Sequence, residues 1–457
     1  MLKRNSIILK AAEYGFSSPP LSYIKGMISA YIAYPIAEKI EKRNVTKKLV
    51  EINSYYSSPF SERDAILKNK LFETLSFANQ SVPYYKDLFA SIGFNPEKIK
   101  KDLKYFYDIP LLTKDIIREQ GHRLLSLPLD STRHHVCKTG GSTGLSCFIY
   151  YDQESADYSS AVTQISRDSV GNKKYKSELH FACKFPGEEQ PDWPNREDFK
   201  CFAMNRSNIF FSSLDGRGLE EIIETLRVRK PHLIHAHPST IFALACYVEK
   251  KYKSLKLFEI FESSGELLEK YMRDKIEGVL SCRVINRYGL AELGVMAYQY
   301  QNRADMFVYD SEGYPENFHA EDGRDELVFT GFRNKLMPLI RYKTGDVATI
   351  DKRGDGFYLT NVTGRIHDVV CLNGTEYPTH HIQDVLDHRV SGIQEFQIDT
   401  RGKQPILKLV IETQANKDEI KSRIEYYWPE AFVVQFVCHD DFIRVGHRAK
   451  FRHVVDR

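Results

Sequence analysis

Along the first 125 residues apolar side chains recur at helical spacing in a polar background. The pattern is strongest from Glu51 to Asn79, then in VPYYKDLF (Val82–Phe89) and IPLLTKDII (Ile109–Ile117). The period predicts a helical lead-in, with Thr113 placed to cap the helix that follows it. One run, Leu21–Ala37, is fairly apolar but carries Lys25 and is too short and interrupted to span a bilayer. It reads first as a helix laid on the main body and second as an interfacial helix.

From His134 the pattern changes to strands alternating with helices, which predicts an α/β domain. His134–Asp152 reads as strand, glycine-rich turn and strand, followed by a helix from Gln153 to about Val170. A strand at Leu179–Lys184 ends in Phe185-Pro186-Gly187, and a helix near Leu219–Arg229 leads to the strand-like His232–Pro238. A helix from Ser239 to about Lys251 follows. Next comes a strand ending at Ser263-Ser264-Gly265-Glu266, a helix to about Gly278, and CRVINRYGLAELG as strand then turn. In open α/β sheets ligands bind beyond the carboxyl ends of strands. That rule puts Gly265 and Glu266 with Tyr288, Gly289 and Glu292 on one rim. From Glu326 the elements become short strands, and Asn373-Gly374 is a two-residue hairpin signal. Residues 1–363 are read as one large domain, 364–368 as a hinge, and 369–457 as a small α+β domain.

Composition narrows the class. Hydrophobic residues make up 42% and charged residues 27%, as in a soluble globular protein, and the net charge of +3 gives no argument for nucleic acid. The 8 cysteines (137, 147, 183, 201, 246, 282, 371, 438) form no C-x-x-C pair, which argues for free thiols in a reducing cytosol. No compact apolar core with a cleavage site opens the chain, so no signal peptide is expected and the cytoplasm is the expected compartment.

The turn Thr139-Gly140-Gly141-Ser142-Thr143-Gly144 can surround phosphate oxygens with N–H and O–H donors. It is not a Walker A loop, because no Gly-Lys-Ser/Thr follows and a strand comes next. His235 and His237 alternate with apolar neighbours. With no third ligand type nearby, they read as pocket-lining or satisfied side chains rather than metal ligands.

Six segments in order, TGGSTG (139–144), SSGE (263–266), YGLAE (288–292), RYKTGD (341–346), GRIHD (364–368) and GHRAKFR (446–452), resemble the adenylate-forming superfamily. Within it the chain is most similar to the phenylacetate–CoA ligase, coenzyme F390 synthetase and CapK capsule-biosynthesis group. VPYYKDLF, IPLLTKDII, RKPHLIHAHPST and NKLMPLIRYKTGD add to the likeness. The resemblance implies a large α/β domain with a small mobile C-terminal α+β domain, and activation of a carboxylate by ATP as acyl-AMP with release of pyrophosphate. It implies that the TGGSTG loop binds phosphates, Glu292 a Mg²⁺ ion, Tyr288 the adenine face with Gly265 and Glu266 opposite, Asp346 the ribose, and Arg365 ribose or phosphate. Lys450 would point at the attacking carboxylate, with Ala449 standing where the usual pattern has glycine. His367 replaces the usual acidic hinge residue and can titrate near neutral pH. The segment after Glu292 lacks the Cys and His of a structural zinc, so no zinc is expected.

The sequence therefore predicts an AMP-forming ligase. No carrier domain is present, so the acceptor is external, CoA or an amine. The likeness tilts the acid towards a small or sugar-linked carboxylate of surface-polysaccharide biosynthesis over an aryl-CoA ligase, with a non-catalytic nucleotide-binding descendant as the third reading. Phe185, His235, His237 and Tyr298 are expected in the acyl pocket. The chain is not expected to be an integral membrane protein, and its oligomeric state is left open, with a homodimer as one option.

Overall fold

A computed structural model describes residues 19–139, 147–183, 196–211, 214, 216–300, 303–319, 325–363, 369–412, 414–438, 441–445, 450–451 and 453–455. β1 (His134–Thr139) pairs antiparallel with β2 (Cys147–Asp152), Thr139 opposite Cys147. Five parallel strands then alternate with helices: β3 (Glu178–Cys183), β4 (Arg206–Phe211), β5 (Leu233–Ala236), β6 (Ile260–Ser263) and β7 (Arg283–Leu290). They lie in the order β4-β3-β5-β6-β7. The remaining strands are antiparallel: β8 (Gly294–Tyr298), β9 (Met306–Val308), β10 (Gly313–His319), β11 (Asp325–Gly331), β12 (Tyr342–Arg353) and β13 (Gly356–Thr363). They continue the same sheet as β8-β9-β13-β12-β11-β10, giving 11 strands in all. The change of direction falls between β7 and β8.

Burial on both faces explains the apolar runs of β5 to β7. One face carries Leu179, Ile234, Phe261 and Val284 against Ile222, Leu244 and Ile276 of the connecting helices. The other carries Leu233, Ile260 and Ile285 against Ile52 of α3 (Val45–Ser57) and Ala161 of α5 (Gln153–Ser169). At the N-terminus α1 (Pro19–Ile28) runs through a π-helical turn, Ser29–Ala33, into α2 (Tyr34–Ile40). No helix among the described residues is long and apolar enough to cross a membrane.

The helical lead-in is fastened to residues far along the chain. Leu71 and Leu75 of α4 (Phe60–Ser81) share a core with Leu336, Ile340 and Tyr342. The Tyr85 hydroxyl donates to the carbonyl of Pro338 (2.9 Å) and accepts from the N–H of Ile340 (3.2 Å). Leu112 exchanges backbone hydrogen bonds with Arg341 and Lys343 (both 3.0 Å). The buried Arg341 guanidinium binds Glu316 (2.7 Å) and donates to the carbonyls of Tyr107 and Ile109. Thr113 accepts from the N–H of Ile116 (3.3 Å), the cap its position suggested.

Residues from 369 onward build their own sheet and core. β14 (Val369–Leu372) and β15 (Thr375–Pro378) meet at Asn373-Gly374, both with positive φ (49° and 80°). β16 (Ile393–Asp399), β17 (Ile406–Ile411), β18 (Val433–Phe436) and β21 (Val454–Val455) form a four-stranded sheet in the order β18-β17-β16-β21. Its core holds Ile382, Ile398, Leu409, Ile424 and Trp428. A last hairpin pairs β19 (Arg444–Val445) with β20 (Lys450–Phe451).

His232, just before β5, sits between the side-chain oxygen Oδ1 of Asn172 (2.9 Å) and the Lys176 ammonium (3.0 Å). Burial, then the Lys176 charge, lowers its pKa from 6.5 to about 4. The unfolded chain therefore binds the extra proton first, and stability falls as pH drops from 6.5 towards 4. With solvent screening at this partly exposed site the loss is about 1–2 kcal/mol. His232→Gln is expected to flatten that part of the stability–pH curve in urea unfolding; an unchanged slope would remove His232 as its source.

Candidate active site

The carboxyl ends of β5, β6 and β7 face one rim, and short-range constraints fix its shape. Gly265, just past β6, has φ +84°, and a Cβ there would stand 2.4 Å from Cε1 of His237. Only glycine allows that approach. Glu266 turns back to the start of α7 (Pro238–Tyr252), accepting from the backbone N–H (3.1 Å) and hydroxyl (3.0 Å) of Ser239.

Two tyrosine–carboxylate pairs tie β7 and its turn to the first residues of β12, a strand that is not its neighbour in the sheet. Tyr288 donates to Oδ2 of Asp346 (2.8 Å). Burial, then the Asp346 charge, raises the phenol far above its usual range, so it remains a donor. Gly345, with φ +86°, and the Asp346 N–H donating to Thr344 Oγ1 (3.2 Å) set the turn that presents this carboxylate. Tyr342 donates to Oε1 of Glu292 (2.7 Å), and its own pKa is raised by burial and then by Glu292. Glu292 is 8% exposed. Its charge, after burial, also helps push the Cys137 thiol up to about 12. Gly289 lies at the bulge where the β7–β8 register shifts.

Beside Glu292 opens a cavity of about 860 Å³, within the usual size range of small-molecule sites. Tyr34 and Ala37 of α2, Tyr151 of β2, Ser159 of α5, and Phe199 of α6 (Arg196–Ala203) line it, as does Asn334. Three of its arginines are ion-paired: Arg43 with Asp157 (2.7 Å), Arg333 with Glu312 (3.2 Å), and Arg196 with Glu41.

Comparison with known proteins gives these features a context. The sequence is 22% identical to protein CapK of Staphylococcus aureus over 409 residues, 82% of this chain and 85% of that protein. It is 23% identical to the phenylacetate-coenzyme A ligase of Escherichia coli (strain K12), over 77% of this chain and 82% of that protein. The fold matches the crystal structure of 2-hydroxyisobutyryl-CoA ligase in the postadenylation state with R3-HIB-AMP. There the TM-score is 0.54 and the identity 18%, over 88% of this chain and 90% of that chain. No family model matches the sequence. Over most of its length the chain is thus similar to adenylate-forming ligases, in sequence and in fold.

Of the residues expected to serve an adenylate-forming enzyme, Gly265, Glu266, Tyr288, Gly289, Glu292 and Asp346 gather around the ends of β6 and β7. Gly140, Gly141, Ser142, Thr143, Gly144, Phe185, Arg365 and His367 lie outside the described residues, as do the side chains of Thr139 and Lys450. The remaining pocket residues are dispersed. His237 stands at the rim against Gly265. His235 and Tyr298 turn instead towards a buried carboxylate, Glu262 of β6, and Tyr298 is 0% exposed, which leaves it no face for a substrate. Neither His235 nor Tyr298 lines the cavity beside Glu292. Tyr342 was not singled out from the sequence, although it sits inside the RYKTGD segment.

Glu262 accepts from Arg167 Nη2 (2.7 Å), His235 Nδ1 (2.8 Å), Tyr298 Oη (2.7 Å) and Arg287 Nη1 (3.2 Å). Burial alone would raise its pKa, but Arg167, the His235 hydrogen bond and Arg287 hold it well below the carboxylate range. Burial lowers the pKa of His235, against the opposing pull of the same carboxylate. This knot spans α5, β5, β6, β7 and β8 directly beneath the rim. Glu262→Gln would leave Arg287 without the carboxylate it pairs with and Arg167 with Glu178 alone, and should cost about 3–5 kcal/mol in urea unfolding. A change under about 1 kcal/mol would show that the knot is not what holds the strands in register.

Proposed function

We propose that the protein is an AMP-forming ligase that activates a carboxylic acid as its acyl-adenylate and passes the acyl group to an external acceptor. The observation that carries this reading is the meeting of Tyr288–Asp346 and Glu292–Tyr342 at the carboxyl ends of β6 and β7. A carboxylate oxygen of the acid attacks the α-phosphorus of ATP. The bond from that phosphorus to the oxygen bridging towards the β-phosphate breaks, and pyrophosphate leaves. Asp346, aimed by Tyr288, accepts from the ribose hydroxyls, and the ring of Tyr288 faces adenine. The TGGSTG loop donates to the phosphates, with Arg365 beside them, and Lys450 of the C-terminal unit meets the attacking carboxylate.

Among the described residues no three His, Cys, Asp or Glu side chains gather into a metal-binding group. That suits Mg²⁺, which is commonly held by one or two carboxylates together with substrate phosphates. Glu292 fits this part, because one oxygen is oriented by Tyr342 and the carboxylate borders the open cavity. When bound, the cation neutralises charge building on the phosphates. The residues 369–457 act as the small mobile domain, turning about 364–368.

The cavity beside Glu292 receives the acid. Hydroxyl and amide groups (Ser159, Gln153, Asn334) stand among the rings of Tyr34, Tyr151 and Phe199, a mixture suited to a sugar-bearing acid. The similarity to CapK over most of the chain supports the same reading, a step in surface-polysaccharide biosynthesis. The similarity to phenylacetate-coenzyme A ligase favours a second, an aryl acid delivered to CoA.

Pyrophosphate release with ATP, Mg²⁺ and a panel of uronic, amino, fatty and aryl acids, with hydroxylamine as trap, tests both. Acid-dependent pyrophosphate is expected, with the responding acid separating the two readings. ATP binding with silence across the panel would mean a non-catalytic nucleotide-binding protein. Lys450→Ala should slow adenylation about 10²–10³-fold while ATP still binds, and normal pyrophosphate release by that variant would remove Lys450 from the chemistry. Glu292→Gln should raise the Mg²⁺ concentration needed for half-maximal rate; an unchanged titration would place the cation elsewhere.

A further inference from the structure

The helix α1–α2 is laid on the body the wrong way round for a soluble protein. Its small residues Gly26, Ser29, Ala30 and Ala33 face inward and are buried. Its large ones, Leu21, Ile24, Ile28, Ile32, Ile36 and Ile40, face solvent at 40–65% exposure, with Tyr23 and Tyr31 beside them. These eight are a large share of all the exposed large apolar side chains among the described residues. Scattered apolar residues on a surface need no explanation, but a contiguous stripe on one helix does.

Rotation cannot relieve the exposure. A Cβ on Gly26 would lie 2.0 Å from the carbonyl oxygen of Tyr175, and that carbonyl is itself held by Asn205 Nδ2 (2.7 Å). The small-residue face is thus the only one that fits the body, and the apolar stripe is committed to the outside.

We propose that this stripe is a docking surface for an anionic phospholipid membrane, with α1–α2 lying in the plane of the headgroups. The charge distribution names this occupant. Residues 19–37 carry no acidic side chain, and Lys25 lies among them. Lys39, Lys42 and Lys47 are exposed at the far end of the stripe. Of the two acids there, Glu41 is paired with Arg196, and Glu38 accepts from Thr46. A protein interface is normally depleted of lysine at its core and offers a patch with complementary relief. A ridge of aliphatic side chains flanked by tyrosines and lysines matches an interfacial helix instead. The inner side of α2 carries Tyr34 and Ala37, which line the cavity beside Glu292, so the docked face and the cavity share one helix as their wall.

The test is co-sedimentation of the full chain with vesicles of phosphatidylcholine, alone or with phosphatidylglycerol, at about 0.1 M and about 1 M salt. Binding to the anionic vesicles is expected, weakened by salt and reduced at least about tenfold by Ile28→Asp with Ile32→Asp. Both positions are exposed, so the thermal midpoint should not move; if it does, Ile24→Ser with Tyr31→Ser gives a milder pair to read. The proposal is overturned if the wild type ignores both vesicles, or if neither pair of substitutions weakens binding. It is also overturned if sedimentation velocity shows a dimer that the substitutions dissolve while vesicles are ignored, since the stripe would then join two copies. Vesicle binding needs neither ATP nor acid, so its outcome is independent of the adenylation assay.

Discussion

A carboxylate in the middle of a sheet is tolerable only when its charge is answered on every side. Glu262 has that arrangement, with donors from α5, β5, β7 and β8 converging on the two oxygens of one side chain. Each donor must arrive from a particular direction, so the set specifies how the neighbouring strands lie against one another more strictly than apolar contacts would. The rim residues follow from it. Ser263, Ser264 and Gly265 continue the strand that carries Glu262, and Tyr288 is the residue after Arg287.

Above this knot the site uses one device twice. A buried phenol too weakly acidic to ionise donates to a carboxylate, which stays an acceptor with a fixed heading. In both pairs the tyrosine and the carboxylate come from different segments, one from the β7 region and one from the start of β12. Movement of β12 relative to β7 would therefore disturb both carboxylates together, which couples the ribose-facing and phosphate-facing parts of the proposed site.

Much of the fold was legible because it rests on local signals. The apolar runs of β5 and β6 and the amphipathic helices between them gave the βα alternation. Asn373-Gly374 marked its hairpin because few other dipeptides accept two positive φ values. The continuation of the parallel sheet through β8, β9 and β13 was not legible, since it depends on pairing between segments far apart in sequence. The same holds for the site. Glu292, Tyr288 and Asp346 stand in short recognisable segments, whereas Arg167, Glu262 and Arg287 share no spacing and are united only by the fold. Tyr298, expected in the acyl pocket, is instead directed into the core by the alternation of β8, and its hydroxyl donates to Glu262. The α1–α2 stripe was visible as an apolar run, but which of its faces turned outward depended on the fit of Gly26 against Tyr175.

The fastening of Tyr85 to Pro338 and Ile340 has a consequence for how the protein is made. Those partners lie 253 and 255 residues downstream of Tyr85. At roughly 5–20 residues per second, a ribosome needs on the order of 10–50 s to supply them. Over that interval Leu71, Leu75 and Phe89 have no 336–342 segment to close over them. A nascent chain that shows such surface for so long is a natural client for holding chaperones, and its yield on expression should respond to their supply more than to the stability of the finished fold.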